Sequence, residues 1–351
     1  MPISLDSQVI LLLCSRLGLP AEPEFPPFTL KDWNPLVLKL QSEAMRPGDL
    51  LELDLPDIQS KLTLSDEEST KIFRLLQRSG PLAIELERLG SLGINVLTRA
   101  DKDYPERYKQ RLKGSSPPIL FYSGEKALLG QPGIAVIGSR RLDDAGQACA
   151  DFVGNACGIS GLVLYSGGAK GVDTISMKAA LYARGTAVGI LADSLEKAIR
   201  DPENRVALSQ GNLCLVTPYS PNAPFSVGTA MGRNKLIYAL ADHAIVVASD
   251  VEKGGTWAGS TDALKAKWIP IFVLDHPDMP EGNKQLMKKG AIPFPHPFTE
   301  DRLKLKEWLD KQSLDQNKAE AVIQPGLFSD YSVSKQDALV VGEKKSKKYD
   351  H

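Results

Sequence analysis

The feature that most constrains this chain is an alternation of short apolar runs with helix-like segments between residues 119 and 274. The apolar runs lie at residues 119–122, 134–137, 162–165, 186–191, 213–216, 244–248 and 269–274. The segments with helical patterns lie between them, at residues 143–157, 172–184, 195–208, 227–240 and 257–267. Short, continuously apolar strands separated by helices are typical of a parallel sheet that helices cover on both faces. The pattern predicts an α/β protein with a doubly wound, mostly parallel, Rossmann-like sheet.

The regions outside this alternation have different sequence patterns. Residues 1–112 predict a small N-terminal helical accessory domain, in which Ser65 and Glu68 form a capping box before a helix at 70–78. Residues 113–300 form the extended Rossmann-like domain. Residues 301–351 predict a short helix at 302–309, followed from 311 by a polar tail that is mostly disordered and ends in the lysine cluster 344–348.

The charge balance excludes a simple polycationic coat for nucleic acid. The chain has 42 Lys and Arg against 43 Asp and Glu, a net charge of -1, so contact with a polyanion needs a local cluster of cations made by folding. No apolar run reaches the roughly 18 residues of a membrane helix and no basic leader opens the chain, so we expect a cytoplasmic protein without a membrane partner. The four cysteines and four histidines are dispersed, which disfavours a disulfide framework and a zinc site.

Three glycine-rich segments follow predicted strands, where ligands bind in open α/β sheets. Glycine lets the backbone approach an anion closely, and the next helix presents unpaired N–H groups. One such loop is equally well explained as a tight turn, but two neighbouring loops that each carry a cation favour phosphate binding. The candidate residues are Gly138, Ser139, Arg140 and Arg141 in the first loop, Ser166, Gly167, Gly168 and Lys170 in the second, and Gly254, Gly255 and Thr256 in the third.

A fourth candidate, Arg233, Asn234 and Lys235, lies within the helical segment 227–240. The alternative for these three residues is a solvated helix face. Asp173 is expected to interact with the N-terminus of its helix rather than act as a general base. The chain lacks a GxxxxGK[ST] loop, a GxGxxG fingerprint with a downstream acid and a GxSxG elbow. We therefore expect neither a P-loop ATPase nor a nicotinamide enzyme, and no cofactor, metal or catalytic turnover.

The order of these motifs resembles the DprA/Smf family of DNA-processing proteins. The resemblance rests on residues 134–140, 166–173, 202–205, 233–237 and 254–256, with 103–105 and 117–121 upstream, and covers roughly residues 100–275. It implies an extended Rossmann-like domain that binds and protects single-stranded DNA in a basic pocket. It also implies a homodimer that assists a RecA-type recombinase in DNA uptake, recombination or defence against foreign DNA.

Several positions depart from the family pattern. The usual Tyr-Pro is Asp201-Pro202, the third residue of the Arg-Asn-Arg element is Lys235, and residues 256–260 read Thr-Trp-Ala-Gly-Ser where a Leu and a Thr-Ala are usual. The aromatic residue that usually precedes the Arg-Asn-Arg element is Ala230 here, and Phe225 is the candidate substitute for stacking on a base.

Two other classes of function remain open at this stage. LOG-type phosphoribohydrolases, which are nucleotide-processing enzymes, bind nucleotides over a PGGxGTxxE loop that residues 254–256 partly match. The glutamate of that loop is missing, because residues 257–262 read Trp-Ala-Gly-Ser-Thr-Asp. The third hypothesis is a scaffold that binds only other proteins. Titration with single-stranded DNA, duplex and mononucleotides separates the three.

Overall fold

The computed structural model describes residues 3–323, with side chains to residue 316, and these residues include one nine-stranded sheet. The strands are β1 (Asn95–Thr98), β2 (Ile119–Gly124), β3 (Gly133–Gly138), β4 (Val163–Ser166), β5 (Thr186–Ile190), β6 (Leu213–Thr217), β7 (His243–Ala248), β8 (Ile271–Asp275) and β9 (Ile292–Pro295). Their order across the sheet is β1-β2-β6-β5-β4-β3-β7-β8-β9. The seven strands from β6 to β9 in this order are parallel, whereas β2 pairs with β6, and β1 with β2, in antiparallel fashion.

The helices of the described residues precede, connect and follow these strands. They are α1 (Leu5–Cys14), α2 (Leu30–Ser42), α3 (Leu55–Leu62), α4 (Asp66–Leu76), α5 (Ser79–Ser91), α6 (Glu106–Leu112), α7 (Asp144–Ile159), α8 (Val172–Tyr182), α9 (Leu195–Ala198), α10 (Pro202–Ser209), α11 (Val227–Leu240), α12 (Gly254–Ala266), α13 (Glu281–Lys288) and α14 (Leu305–Ile323). The predicted capping box is present at the start of α4, where Ser65 and Glu68 bond reciprocally.

Helices cover both faces of the sheet, which confirms the predicted doubly wound architecture. Alternate residues of β3 enter different cores: Ile134 and Val136 pack on one face and Ala135 and Ile137 on the other. The first core contains residues of α7 and α8 together with those of the N-terminal helices. The second contains residues of α6, α11 and α12. The N-terminal helices and the sheet therefore share one continuous hydrophobic core.

The strand order reverses between β3 and β7. From β3 the chain proceeds through β4, β5 and β6 in one direction, and from β7 through β8 and β9 in the other. At this boundary the β3–β7 register shifts so that Gly138 pairs with Ala248. A Cβ at Gly138 would lie 2.4 Å from Val172 Cγ2, so only glycine fits there. Reversal of strand order leaves a crevice beyond the carboxyl ends of the two strands.

The structure differs from the sequence-based expectation at three places before residue 300. Strand β1 lies in the region expected to hold only helices and turns, because four residues are too few to show a period of two. The expected helix 195–208 is divided into α9 and α10, since Asp201 caps α10 and Pro202 occupies its first turn. Helix α13 and strand β9, which were not predicted, extend the sheet beyond β8.

The C-terminal prediction was wrong for residues 311–323, because α14 continues to Ile323. Its first turns bury Leu305 and Leu309, and Trp308 contacts the ring of Phe294 at 5.7 Å between centroids. Packing on this aromatic surface stabilises a helix whose own sequence is largely polar. The remaining part of the predicted tail, residues 324–351 with its lysine cluster, lies outside the described residues.

Candidate nucleic-acid interface

A crevice of about 560 Å³ lies at the carboxyl ends of β3 and β7. The loop after β3, the first turns of α11 and the N-terminus of α12 form its walls. Predicted site residues that line it are Gly138, Ser139, Arg140, Arg141, Arg233, Asn234, Gly254, Gly255 and Thr256. The fold therefore brings residues 138–141 together with predicted site residues 233–256, which lie more than 90 residues further along the chain.

The loop after β3 presents two exposed arginines to this crevice. The Ser139 N–H donates to the carbonyl of Ala248 at 2.9 Å, which fixes the loop to β7. The Ser139 hydroxyl accepts a hydrogen bond from the Arg141 N–H at 3.1 Å. The Arg140 guanidinium lies 5.1 Å from the centroid of the Phe225 ring, which is 49% exposed. This pair combines a phosphate ligand with an aromatic surface on which a base can stack.

Residues 254–256 form the first turn of α12, rather than a loop before it as predicted. The N-cap residue Lys253 makes no side-chain cap hydrogen bond, and its side chain belongs to the crevice wall. A Cβ at Gly255 would lie 2.4 Å from Asn234 Nδ2, so a larger residue there would displace the Asn234 side chain. Unpaired N–H groups of a first turn together with a lysine suit a phosphate group.

Arg233 is buried behind the surface of the crevice and holds the loop after β4 in place. Its side chain is buried and donates to the carbonyls of Gly167 and Ile190. Asp173 accepts hydrogen bonds from the N–H groups of Gly167 at 3.1 Å and Ala169 at 3.3 Å. Burial raises the pKa of Asp173, and the positive charge of Arg233 opposes that rise. The two side chains form a buried electrostatic pair that holds the loop after β4, so Arg233 has less freedom to bind a ligand than the predicted site implied.

Five predicted site residues lie outside the crevice lining. Ser166 is buried beneath the sheet edge and donates to the carbonyl of Val136 at 2.7 Å. Gly167 is buried beside Arg233. Gly168 and Lys170 line a second cavity on the other side of the loop. Lys235 belongs to the lining of neither cavity, and partial burial lowers its pKa.

The crevice lining also includes residues outside the predicted phosphate-binding set, although Phe225 was already the candidate for stacking on a base. Phe225, Val227 and Met231 form an apolar wall, with Val227 69% and Met231 49% exposed. Lys253 completes the cationic side. The sequence signal for Lys253 is its position directly before a Gly-Gly pair at a helix start, whereas nothing local distinguishes Val227 and Met231 from core residues.

The acidic side chains of the crevice are Asp173 and Asp250. Asp173 was expected to interact with the N-terminus of its own helix. It accepts its hydrogen bonds from Gly167 and Ala169 in the loop before that helix, and Arg233 lies close enough to affect its pKa. Within residues 3–323, no group of three or more His, Cys, Asp or Glu side chains is arranged to hold a metal ion. None of the helices described here is long and apolar enough to span a membrane.

The fold and the crevice define a Rossmann-like α/β protein with a crevice at the switch point of its sheet that Arg140, Arg141 and Lys253 line. The family model of DNA recombination-mediator protein A matches residues 95–300. The chain belongs to this family, which confirms the predicted resemblance to the DprA/Smf proteins.

Curated relatives of the chain are Smf and DprA proteins. The chain is 27% identical over 203 residues to Protein Smf of Synechocystis, covering 56% of this chain and 50% of that protein. It is 31% identical over 184 residues to DNA processing protein DprA of Streptococcus pneumoniae, covering 50% and 63%. The chain thus matches between half and two thirds of the length of these two curated relatives.

Solved structures show the same fold. The X-ray structure of DprA from Streptococcus pneumoniae matches 88% of this chain and 99% of its own, with 20% identity and a TM-score of 0.62. A structure that describes the single-stranded DNA binding mode of DNA processing protein A from Helicobacter pylori matches 63% of this chain and 96% of its own. In that case the identity is 25% and the TM-score 0.50.

Proposed function

We propose that this protein binds single-stranded DNA in the crevice between β3 and α12, without catalytic turnover. The observation that carries the proposal is the pairing of the exposed Arg140 guanidinium with the exposed Phe225 ring at 5.1 Å. Phosphates bind at Arg140, Arg141, Lys253 and the first turn of α12, and a base stacks on Phe225. The Helicobacter pylori relative, a single-stranded DNA binder by description, supports this choice of ligand.

The geometry favours a single strand over a duplex or a free mononucleotide. A base can reach the Phe225 ring only when it is unpaired and unstacked. The apolar surface of Val227 and Met231 beside that ring extends the area on which successive bases can lie. A mononucleotide would occupy only one part of a wall that presents cations from two separate elements.

The test is a titration of labelled single-stranded oligonucleotide, matching duplex and mononucleotides at two salt concentrations. We expect the single strand to bind most tightly, with an affinity that decreases as salt rises. Equal affinity for duplex and single strand, or tighter binding of a mononucleotide, would contradict the proposal.

Absence of turnover is part of the proposal. Asp173 is buried and hydrogen-bonded to the backbone, and no histidine of the described residues lines the crevice beside Asp250. General acid–base catalysis needs a positioned group of suitable pKa. We expect no hydrolysis of ATP, nucleoside monophosphates or DNA. Release of free base from a nucleoside monophosphate, lost on changing Thr256, would instead support a phosphoribohydrolase.

The family relationship supports three further parts of the proposal. The protein acts as a cytoplasmic homodimer, protects single-stranded DNA and assists a RecA-type recombinase in DNA uptake, recombination or defence against foreign DNA. Light scattering of the purified chain tests the dimer. Recombinase filament formation on strands coated with single-strand binding protein, with and without this chain, tests the assistance.

A further inference from the structure

A second cavity of about 830 Å³ lies between α8, α9 and α10, on the other side of the loop after β4. One peptide separates it from the crevice, because Ala169 lines the crevice and the next residue, Lys170, lines the second cavity. Consecutive Cα atoms are about 3.8 Å apart. A chain molecule that leaves the crevice across this loop therefore enters the second cavity directly.

The rim of the second cavity presents cations that the protein itself does not neutralise. Lys170, Lys197 and Arg200 are exposed, and none of them forms an ion pair within the described part of the chain. Lys178, a fourth cation of the lining, is instead paired with Glu203 at 2.7 Å. The three unpaired cations are available to an anionic ligand.

The acidic residues of the second cavity are already engaged with protein groups. Glu203 binds Lys178, and Asp201 accepts hydrogen bonds from two N–H groups at the start of α10. Asp193 interacts electrostatically with Arg233 behind the cavity. Their negative charges are thus partly compensated within the protein, which leaves the rim net basic toward a ligand.

The floor and one side of the cavity are apolar. Met177, Leu191 and Leu215 are buried in the floor, whereas Tyr182 is 77% and Val206 56% exposed at the side. A large exposed aromatic ring beside unpaired cations suits a nucleotide, because the base can stack on the ring while the phosphate contacts the cations.

We propose that the second cavity binds further nucleotides of the same DNA strand, with phosphates at Lys170, Lys197 and Arg200 and a base on Tyr182. This inference rests on the proposed function, since it extends the path of the strand that the crevice holds. The loop after β4 then lies between the two binding sites, under the DNA strand, and Arg233 and Asp173 hold it in place.

The experiment measures fluorescence anisotropy of the full chain with labelled oligothymidylates of about 4 to 20 nucleotides. The test variants are the double substitution Lys197→Ala with Arg200→Ala, and Tyr182→Ala. A matched control, Lys31→Ala with Lys61→Ala, removes two exposed cations from the N-terminal helices. Arg140→Ala serves as the crevice variant.

We expect both second-cavity variants to bind the long oligomers about tenfold more weakly and the shortest oligomers as the unsubstituted protein does. The double variant should also lower the salt slope on long oligomers by about 1.4, or about 0.7 for each charge. The control should change neither quantity, and Arg140→Ala should weaken binding at every length.

Equal affinities of the second-cavity variants and the unsubstituted protein for long oligomers would overturn the inference while leaving the crevice proposal intact. An equal loss at all lengths would overturn it too, because the cavity would then not be an extension of the site. If the second-cavity variants weaken binding of thymidine monophosphate but not of oligomers, the cavity is a separate small-molecule site and the inference is overturned. If the unsubstituted protein binds no oligomer, the proposed function itself fails.

Discussion

Two glycine-rich loops of this protein, at residues 138–141 after β3 and 166–171 after β4, are similar in sequence and different in structure. The first holds its arginines in solvent, one of them over Phe225. In the second, Gly167 is buried, and the loop is held by Arg233 from one side and by Asp173 from the other. A glycine and a cation after a strand therefore indicate a binding loop only if the cation remains exposed.

The comparison also explains why one arginine supports the fold while another is available to a ligand. Arg233 is 5% exposed and donates to two carbonyls, whereas Arg140 forms no ion pair among the described residues and lies at the surface. Arg233 joins the loop after β4 to the end of β5, because it donates to the carbonyls of both Gly167 and Ile190. The loop after β3 is held through the backbone, by the bond from Ser139 to Ala248.

The largest expected effect is on stability, for the substitution Arg233→Met. It leaves the Asp173 carboxylate without its buried partner and two carbonyls without a donor, so the free energy of unfolding should fall by about 3–5 kcal/mol. Urea denaturation followed by circular dichroism measures this. Arg140→Met, the same change at the surface, should stay within about 0.5 kcal/mol. Equal midpoints for the two variants would contradict the comparison.

The pH dependence of the stability of Arg233→Met provides a second test of the buried pair Arg233 and Asp173. Without Arg233, no nearby positive charge opposes the effect of burial, so the pKa of Asp173 in the folded state rises further. The folded state then takes up a proton at a higher pH than the unfolded state does. Uptake of a proton by the folded state stabilises it as pH falls. The stability deficit of Arg233→Met should therefore narrow between about pH 7 and pH 5. Adding Asp173→Asn should remove this pH dependence, and a deficit that widens on acidification would exclude the pair.

Phe225→Ala should have the largest effect on DNA affinity within the crevice. Loss of one stacked base costs about 1–3 kcal/mol, which corresponds to roughly 5- to 140-fold in affinity. The salt slope should not change, because no charge is removed. Phe225→Tyr retains the ring and should bind as tightly as the unsubstituted protein. If Phe225→Tyr weakens binding as much as Phe225→Ala does, the ring is not a stacking surface.

Arg140→Ala should have a smaller effect on affinity, about fivefold, but should lower the salt slope by about 0.7, the value for one phosphate contact. Lys170→Ala should lower the slope similarly on long oligomers only. Unchanged slopes in both variants would remove both loops from the phosphate-binding surface. Isothermal titration at three salt concentrations measures the slope.

The smallest effect is expected for Lys235→Ala. Lys235 was predicted to join the site, but it lies outside the lining of both cavities. Affinity for single-stranded DNA should change by less than about twofold. A loss as large as that of Arg140→Ala would show that the strand follows a different face of α11.

The sequence predicted the fold well because the signal for parallel strands is local. Each of the predicted runs between residues 119 and 274 is a strand whose ends lie within two residues of the expected ones. Strand β1 and the extension of α14 were missed for the opposite reason. Each depends on a partner that is distant in sequence, β2 for β1 and the Phe294 surface for α14.

The sequence by itself determined the doubly wound sheet, the family and the three glycine-rich segments, because periodicity, chain order and glycine content are properties of short stretches. Only the tertiary structure decided which cations reach a ligand. Arg140 and Arg233 are both arginines within two residues of a glycine, and nothing in the neighbouring sequence distinguishes the buried one from the exposed one. The strand order places Arg233 over the carbonyls of Gly167 and Ile190, and leaves Arg140 beside Phe225 at the open end of the crevice. Burial is set by packing between distant segments, which a local pattern does not contain.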